Sequence, residues 1–187
     1  MNHLGSHSRP DLCFDTKSLS TKFGKAKKTD LASAVKKLQK LKSQSTKMIF
    51  PDLGDVHDWV FVGHGDAGIK SLPDKISSVG GSVIMLANKK TKKVCVLSWK
   101  SKKLIRKVVS SLAGEALAMN ETIGDVIYNK AVLKQIFGAE IDQIPVIIVT
   151  DSNNLFKAVY STSLVDDGRL IPDIAVVKES IEQGAIT

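Results

Sequence analysis

Apolar and polar residues alternate along several stretches of the chain, a pattern that predicts β-strands. One runs from Trp59 to Gly65, and residues 82–88 and 94–101 form a hairpin around the basic turn 89–93. The apolar run Ile144–Thr150 lacks alternation, which is typical of a strand buried on both faces. The chain therefore contains at least four predicted strands.

The N-terminal part shows helical spacing. Two helices are predicted, and the second begins with Thr29 as N-cap. Its apolar face consists of Leu31, Val35, Leu38 and Leu41, with lysines opposite. Proline, glycine and acidic residues then interrupt the pattern between residues 48 and 58. We expect a helical segment over residues 1–50 and a main domain over residues 55–187.

Three further helical patterns follow, over residues 109–137, 153–160 and 170–183. The long helix joins the first strand and hairpin to the last strand, and such a crossover makes the first and last strands parallel. The expected fold class is α/β, with a mixed sheet flanked by helices.

The net charge of +8 is unevenly distributed. Residues 89–107 contain nine basic and no acidic residues, whereas residues 108–187 contain five basic and eleven acidic ones. A lysine cluster is usually a solvated face, but this one interrupts a strand pattern, which indicates a surface for a polyanion. We expect nucleic acid as the partner, with contacts from Lys100, Lys102, Lys103 and Arg106.

Membrane and secretory classes are not indicated. No apolar run is long enough to span a bilayer, and the N-terminus lacks the apolar core of a secretory signal. We expect an intracellular protein, cytoplasmic or nuclear, without a membrane partner. Cys13 and Cys95 lie far apart in apolar surroundings and are expected to be reduced and buried.

Three acidic residues stand at positions where a site can form. Asp66 and Asp151 each follow a predicted strand, and parallel neighbours end at one edge of a sheet. Glu115 lies in an apolar segment near the start of the long helix. Singly they are explained as a turn residue, an N-cap and a surface acid, but together they fit a Mg²⁺ site. We expect His64 to point away from Asp66, as a packed or exposed histidine.

Several segments resemble a known family. "GDAG", "LSWKSKKLIRKVVSSLAGEALAM", "VTDSNNLFKAV" and "RLIPDIAVVKESIEQGAI" resemble, in order and spacing, the ribonuclease H domain of copia-type retrotransposon Pol polyproteins. The upstream "RPDLCFDTKSLSTKFG" resembles the helical tail of the adjoining reverse transcriptase. The resemblance covers nearly the whole chain.

The resemblance implies a ribonuclease H fold with a mixed five-stranded sheet and hydrolysis of the RNA strand of RNA/DNA hybrids. It assigns Asp66, Glu115 and Asp151 as the catalytic and metal-binding acids, holding two Mg²⁺ or Mn²⁺ ions roughly 3.5–4 Å apart. RNA/DNA hybrid and the rest of the polyprotein are the implied partners.

Two features of the family are expected to lie outside this chain: the fifth strand and the fourth carboxylate that follows it. Asp173 does not count as that fourth ligand, and the paired aspartates of a polymerase are absent. We therefore expect an open edge on Ile144–Thr150, marginal folding, self-association and weak cleavage. The alternative function is a catalytically inactive nucleic-acid-binding remnant of a retroelement.

Overall fold

The computed structural model describes residues 2–44, 47–72, 76–162 and 167–187. A four-stranded sheet forms its centre. The strands are β1 (Trp59–Gly68), β2 (Val79–Asn88), β3 (Val94–Lys103) and β4 (Val146–Val149). Their order is β3-β2-β1-β4, with β1 antiparallel to β2, β2 antiparallel to β3, and β1 parallel to β4. The expected mixed sheet and the parallel first and fourth strands are confirmed.

The helices are α1 (Asn2–His7), α2 (Cys13–Ser20), α3 (Lys28–Ser43), α4 (Ser111–Phe137), α5 (Asn153–Tyr160) and α6 (Ile171–Glu182). Short 3₁₀ turns lie at Pro10–Leu12, Val56–Asp58 and Ala139–Gln143. No helix in these four described stretches has the length and apolar character that a membrane crossing needs.

The main core lies between the sheet and α4. Phe61 of β1, Ile84 of β2 and Val126 of α4 are completely buried in it. The helix lies close to β1 because that strand has glycine where they meet. A Cβ atom on Gly65 would lie 2.5 Å from Thr122 Oγ1, so a larger residue would push the helix outward.

The N-terminal helices pack differently from one another. α1 and α2 lie beside β3, where the indole Nε1–H of Trp99 donates to the carbonyl of Gly5 at 2.7 Å. α3 has no buried residue. It is tied to α2 by a salt bridge between Lys37 and Asp15, so polar contacts hold it in place.

The structure corrects four details. The helix α3 begins at Lys28, so Thr29 lies inside it and is not the N-cap. Helix α1 was not predicted. The two free cysteines are only partly buried, although burial raises the pKa of both thiols. Ile147 of β4 is 41% exposed because only one face of that strand packs into the core, so the strand is not buried on both faces.

The outer edge of β4 forms backbone hydrogen bonds with Thr187. The amide of Thr187 donates to Val146 O at 2.8 Å, and the amide of Ile148 donates to Thr187 O at 2.9 Å. This is the bonding pattern of a parallel bridge, with Thr187 level with Ile147. The expected open edge is thus partly covered by Thr187.

Candidate metal centre and nucleic-acid surface

Asp66, Glu115 and Asp151 lie together. Each offers a carboxylate oxygen, and these oxygens all lie within 4.8 Å of one another. Glu115 is buried, whereas Asp66 and Asp151 are exposed. The cluster therefore has a protein side and a solvent side.

Strand register places the two aspartates. In the parallel pairing of β1 with β4, His64 lies opposite Val149. Asp66 and Asp151 each follow that pair by two residues, so they stand level at the carboxyl ends of neighbouring strands. Open α/β sheets place ligand sites at this edge.

The N-terminal part of α4 brings in the third acid, Glu115. Ser110 is the N-cap, and its Oγ accepts from the amide of Ala113 at 3.2 Å. Gly114 then lets the helix approach the end of β1, because a Cβ atom there would lie 2.4 Å from Ile69 Cδ1. Glu115, the next residue, is thereby held beside Asp66.

The simpler explanations of the two aspartates do not hold. Asp66 lies within β1 opposite Gly81, not in a turn, and its Oδ1 accepts from the amide of Ala67 at 2.7 Å. The N-cap of α5 is Ser152, whose Oγ accepts from the amide of Leu155 at 3.3 Å. Asp151 is therefore not needed as a cap.

Glu115 is held in an unfavourable environment for an anion. Burial raises its pKa to about 7, and the charges of Asp66 and Asp151 add to the rise. Its Oε2 atom is buried and has no hydrogen-bond partner among the described residues. Buried polar atoms are almost always paired, so this oxygen is a candidate ligand atom.

The residues present fit a hard divalent cation. Mg²⁺ and Mn²⁺ prefer carboxylate oxygens, and all three side chains supply them. A cation would pair with the unpartnered Glu115 oxygen and offset the repulsion among the acids. The catalytic role of the three residues stays a prediction.

A cavity of about 500 Å³ opens beside the two aspartates. Its lining includes Phe14 of α2, His64 and Trp99, together with Asp66 and Asp151. The expectation that His64 points away from Asp66 was wrong, because residues two apart on a strand share a face. Applying that period to residues 64 and 66 would have placed His64 here. Nothing in the sequence predicted that α2 forms one wall of this cavity.

The predicted nucleic-acid contacts lie in salt bridges. Lys100 pairs with Asp125, and Arg106 pairs with Asp173. Lys102 Nζ lies 3.1 Å from an oxygen of Glu121. The three basic side chains remain 42% to 51% exposed. Their carboxylate partners are only 13% to 33% exposed, so a phosphate would reach the basic side chains from the solvent side, beside those carboxylates. Lys103 is the fourth predicted contact, and all four stay predictions.

Comparison with known proteins gives weak likenesses. No family model matches the chain, and no curated protein matches it. Among solved structures it is similar to LC11-RNase H1, isolated from compost by a metagenomic approach, with 15% identity, a TM-score of 0.45, and coverage of 66% of this chain and 77% of that one. A structure of LC11-RNase H1 in complex with RNA/DNA hybrid matches with 14% identity, a TM-score of 0.45, and coverage of 67% and 80%.

A third likeness is to RNase H1 from the halophilic archaeon Halobacterium salinarum. It has 11% identity and a TM-score of 0.36, and it covers 66% of this chain and 74% of that one. Matches at this level do not bear on the activity of this chain.

Proposed function

We propose that this chain is a divalent-metal-dependent ribonuclease H that hydrolyses the RNA strand of RNA/DNA hybrids and derives from a copia-type retrotransposon polyprotein. The observation that carries the proposal is the convergence of Asp66, Glu115 and Asp151, whose carboxylate oxygens lie within 4.8 Å of one another. The sequence resemblance supplies the substrate and the origin.

Asp66, Glu115 and Asp151 would hold the cations from two sides. Glu115 binds from the protein interior, while the exposed aspartates bind from the side that the substrate reaches. Bound divalent cations supply Lewis-acid stabilisation of the attacking water and the leaving oxygen in phosphodiester hydrolysis. The three side chains position that chemistry at the rim of the cavity.

Glu115 also sets a pH requirement. Because its pKa is raised to about 7, the side chain carries a proton in a large fraction of molecules at neutral pH in the absence of metal. Only the carboxylate is a ligand, so cation binding releases this proton and strengthens as the pH rises through about 7.

Cleavage of a labelled RNA/DNA hybrid tests the proposal. We expect RNA cleavage with Mg²⁺ or Mn²⁺ and none with EDTA. Asp151→Asn should lose both cleavage and cation binding measured by calorimetry, because it removes one anionic ligand. Asp142→Asn is the control, since Asp142 is an exposed acid paired with Lys134. Equal cation binding by wild type and Asp151→Asn would refute the metal centre.

The alternative is hybrid binding without turnover. The converging acids in the described residues number three, which is one fewer than the family uses. Cation binding and hybrid binding without cleavage would identify this alternative.

A further inference from the structure

Helix α3 presents its polar face toward α2. A cleft of about 640 Å³ lies between the two helices, lined by Asp15 of α2 and by Ser33, Lys36, Lys37, Gln39, Lys40 and Ser43 of α3. The leucine face of the same helix is turned to solvent, where Leu31 is 68% exposed. An amphipathic helix that packs for burial alone would have the opposite orientation.

The cleft is rich in hydrogen-bond donors. Three ammonium groups, two hydroxyls and an amide face it, against one carboxylate. That carboxylate, Asp15, is already paired with Lys37. Lys36 and Lys40 make no salt bridge with any carboxylate in the described part of the chain. The pKa of Asp11 is lowered mainly by its hydrogen bond with Arg9, and the charge of Lys40 lowers it further without a salt bridge. Two cations in the cleft are therefore available to an anionic ligand.

Helix α2 separates this cleft from the cavity beside the candidate metal centre. Phe14 lines that cavity, and the next residue, Asp15, lines the cleft. A helix with its side chains is about 10–12 Å across. Duplex nucleic acid carries one charge per roughly 1.7 Å of its axis. A duplex held at the acids therefore has several phosphates within reach of the cleft.

We propose that the cleft between α2 and α3 binds backbone phosphates of the nucleic acid that the metal centre acts on. Lys36 and Lys40 pair with two phosphates, and Ser33, Gln39 and Ser43 donate to their oxygens. This inference rests on the proposed function, and it adds a second binding surface to the basic residues of β3.

Fluorescence anisotropy with a labelled 16-base-pair RNA/DNA hybrid in EDTA tests the proposal in the absence of hydrolysis. The test variant is Lys36→Gln/Lys40→Gln in the full chain. Its control is Lys28→Gln/Lys42→Gln, which makes the same charge change on the same helix outside the cleft. Circular dichroism checks that both variants fold.

Each phosphate that a basic side chain neutralises contributes about 0.9 to the slope of log affinity against log salt. Because the cleft variant removes two such side chains, its slope should be shallower by about 1.8. The control should keep the wild-type slope. Equal slopes in the two variants would overturn the proposal, since net charge alone would then account for binding.

Two further measurements distinguish a failure of the cleft proposal from a failure of the proposed function. Tripolyphosphate tests for a free phosphate ligand, and its binding at Lys36 and Lys40 without any change in the hybrid slope would overturn the nucleic-acid assignment. In another outcome, the wild type cleaves the hybrid with Mg²⁺ while the cleft variant binds it as tightly as the wild type does. That result would refute the cleft and leave the proposed function standing. Absence of hybrid binding by the wild type would refute both.

Discussion

Glu115 shows how one residue acquires its chemistry from its position. In the sequence it stands among small apolar residues, and in the structure it is 9% exposed with two aspartates beside it. Its place in an apolar segment near the start of the long helix was enough to group it with the two aspartates. Its raised pKa and its unpartnered oxygen depend on packing around it, which the sequence does not contain.

Glu115 should make stability depend on pH when metal is absent. The folded state binds its proton more tightly than the unfolded chain does, so this stabilisation is complete below pH 4.5 and is lost as the pH rises through about 7. The loss is on the order of 3 kcal/mol. Urea unfolding in EDTA at pH 5 and pH 8 measures it. Glu115→Gln should remove this part of the difference, and an identical difference in both proteins would contradict the assignment.

At the scale of elements, the spacing of apolar and polar residues along the chain predicted most strands and helices. The short helix was placed at Asn153 and the long helix ended at Phe137, as the structure has them. The predictions were wrong where a property depends on contacts with neighbouring residues. The exposure of Ile147 depends on what covers β4, and the start of α3 depends on Asp30, whose Oδ2 accepts from the amide of Lys27 at 3.0 Å.

The approach of α4 to β1 should control the metal centre. Gly65→Ala places a methyl group against Thr122 and moves the helix outward, at a cost of roughly 1–3 kcal/mol. Glu115 moves with the helix, so Mg²⁺ affinity should fall as well. Gly81→Ala is the control, because its nearest contact, Lys100 O, lies at an ordinary 3.7 Å. Thermal unfolding and calorimetry measure both effects, and similar losses in the two variants would contradict this account.

The basic surface that begins on β3 should contribute separately to hybrid binding. Neutralising Lys100, Lys102 and Arg106 together should make the salt slope shallower by about 0.9 for each phosphate that these side chains bind. Their carboxylate partners are only 13% to 33% exposed, so leaving these acids unpaired should also lower the stability of the protein, which thermal unfolding measures separately. Anisotropy in a salt series measures the slope. An unchanged slope would mean that the three side chains only pair with their own carboxylates.

At the scale of the whole molecule, the sequence predicted the hairpin of the second and third strands and the parallel first and fourth strands, but not how the N-terminal helices sit on the sheet. Strand pairing follows from crossover rules, whereas the packing of α2 against β3 depends on individual groups such as Trp99 and Gly5. The proposed division between residues 1–50 and 55–187 stays a prediction. Both the cavity at the acids and the lysine cleft arise from this placement.

The edge of β4 should make the protein self-associate at high concentration. Thr187 covers part of that edge, and the exposed Ile147 lies beside it without a charge to deter pairing. Ile147→Lys should reduce association without lowering the melting temperature. Light scattering over a concentration series measures the mass. If Leu31→Ser/Leu38→Ser abolishes association instead, the leucine face of α3 is responsible and the edge is not.

The bridge between Thr187 and β4 also affects how the protein is best produced. Thr187 is level with Ile147 and runs parallel to β4, so residues fused after it would continue toward the metal centre. At about 3.3 Å per residue, the fourth fused residue would be level with Asp151. A C-terminal polyhistidine tag would place imidazoles beside the carboxylates and compete for the cation. Such a tag should be cleaved before any metal measurement, or placed elsewhere.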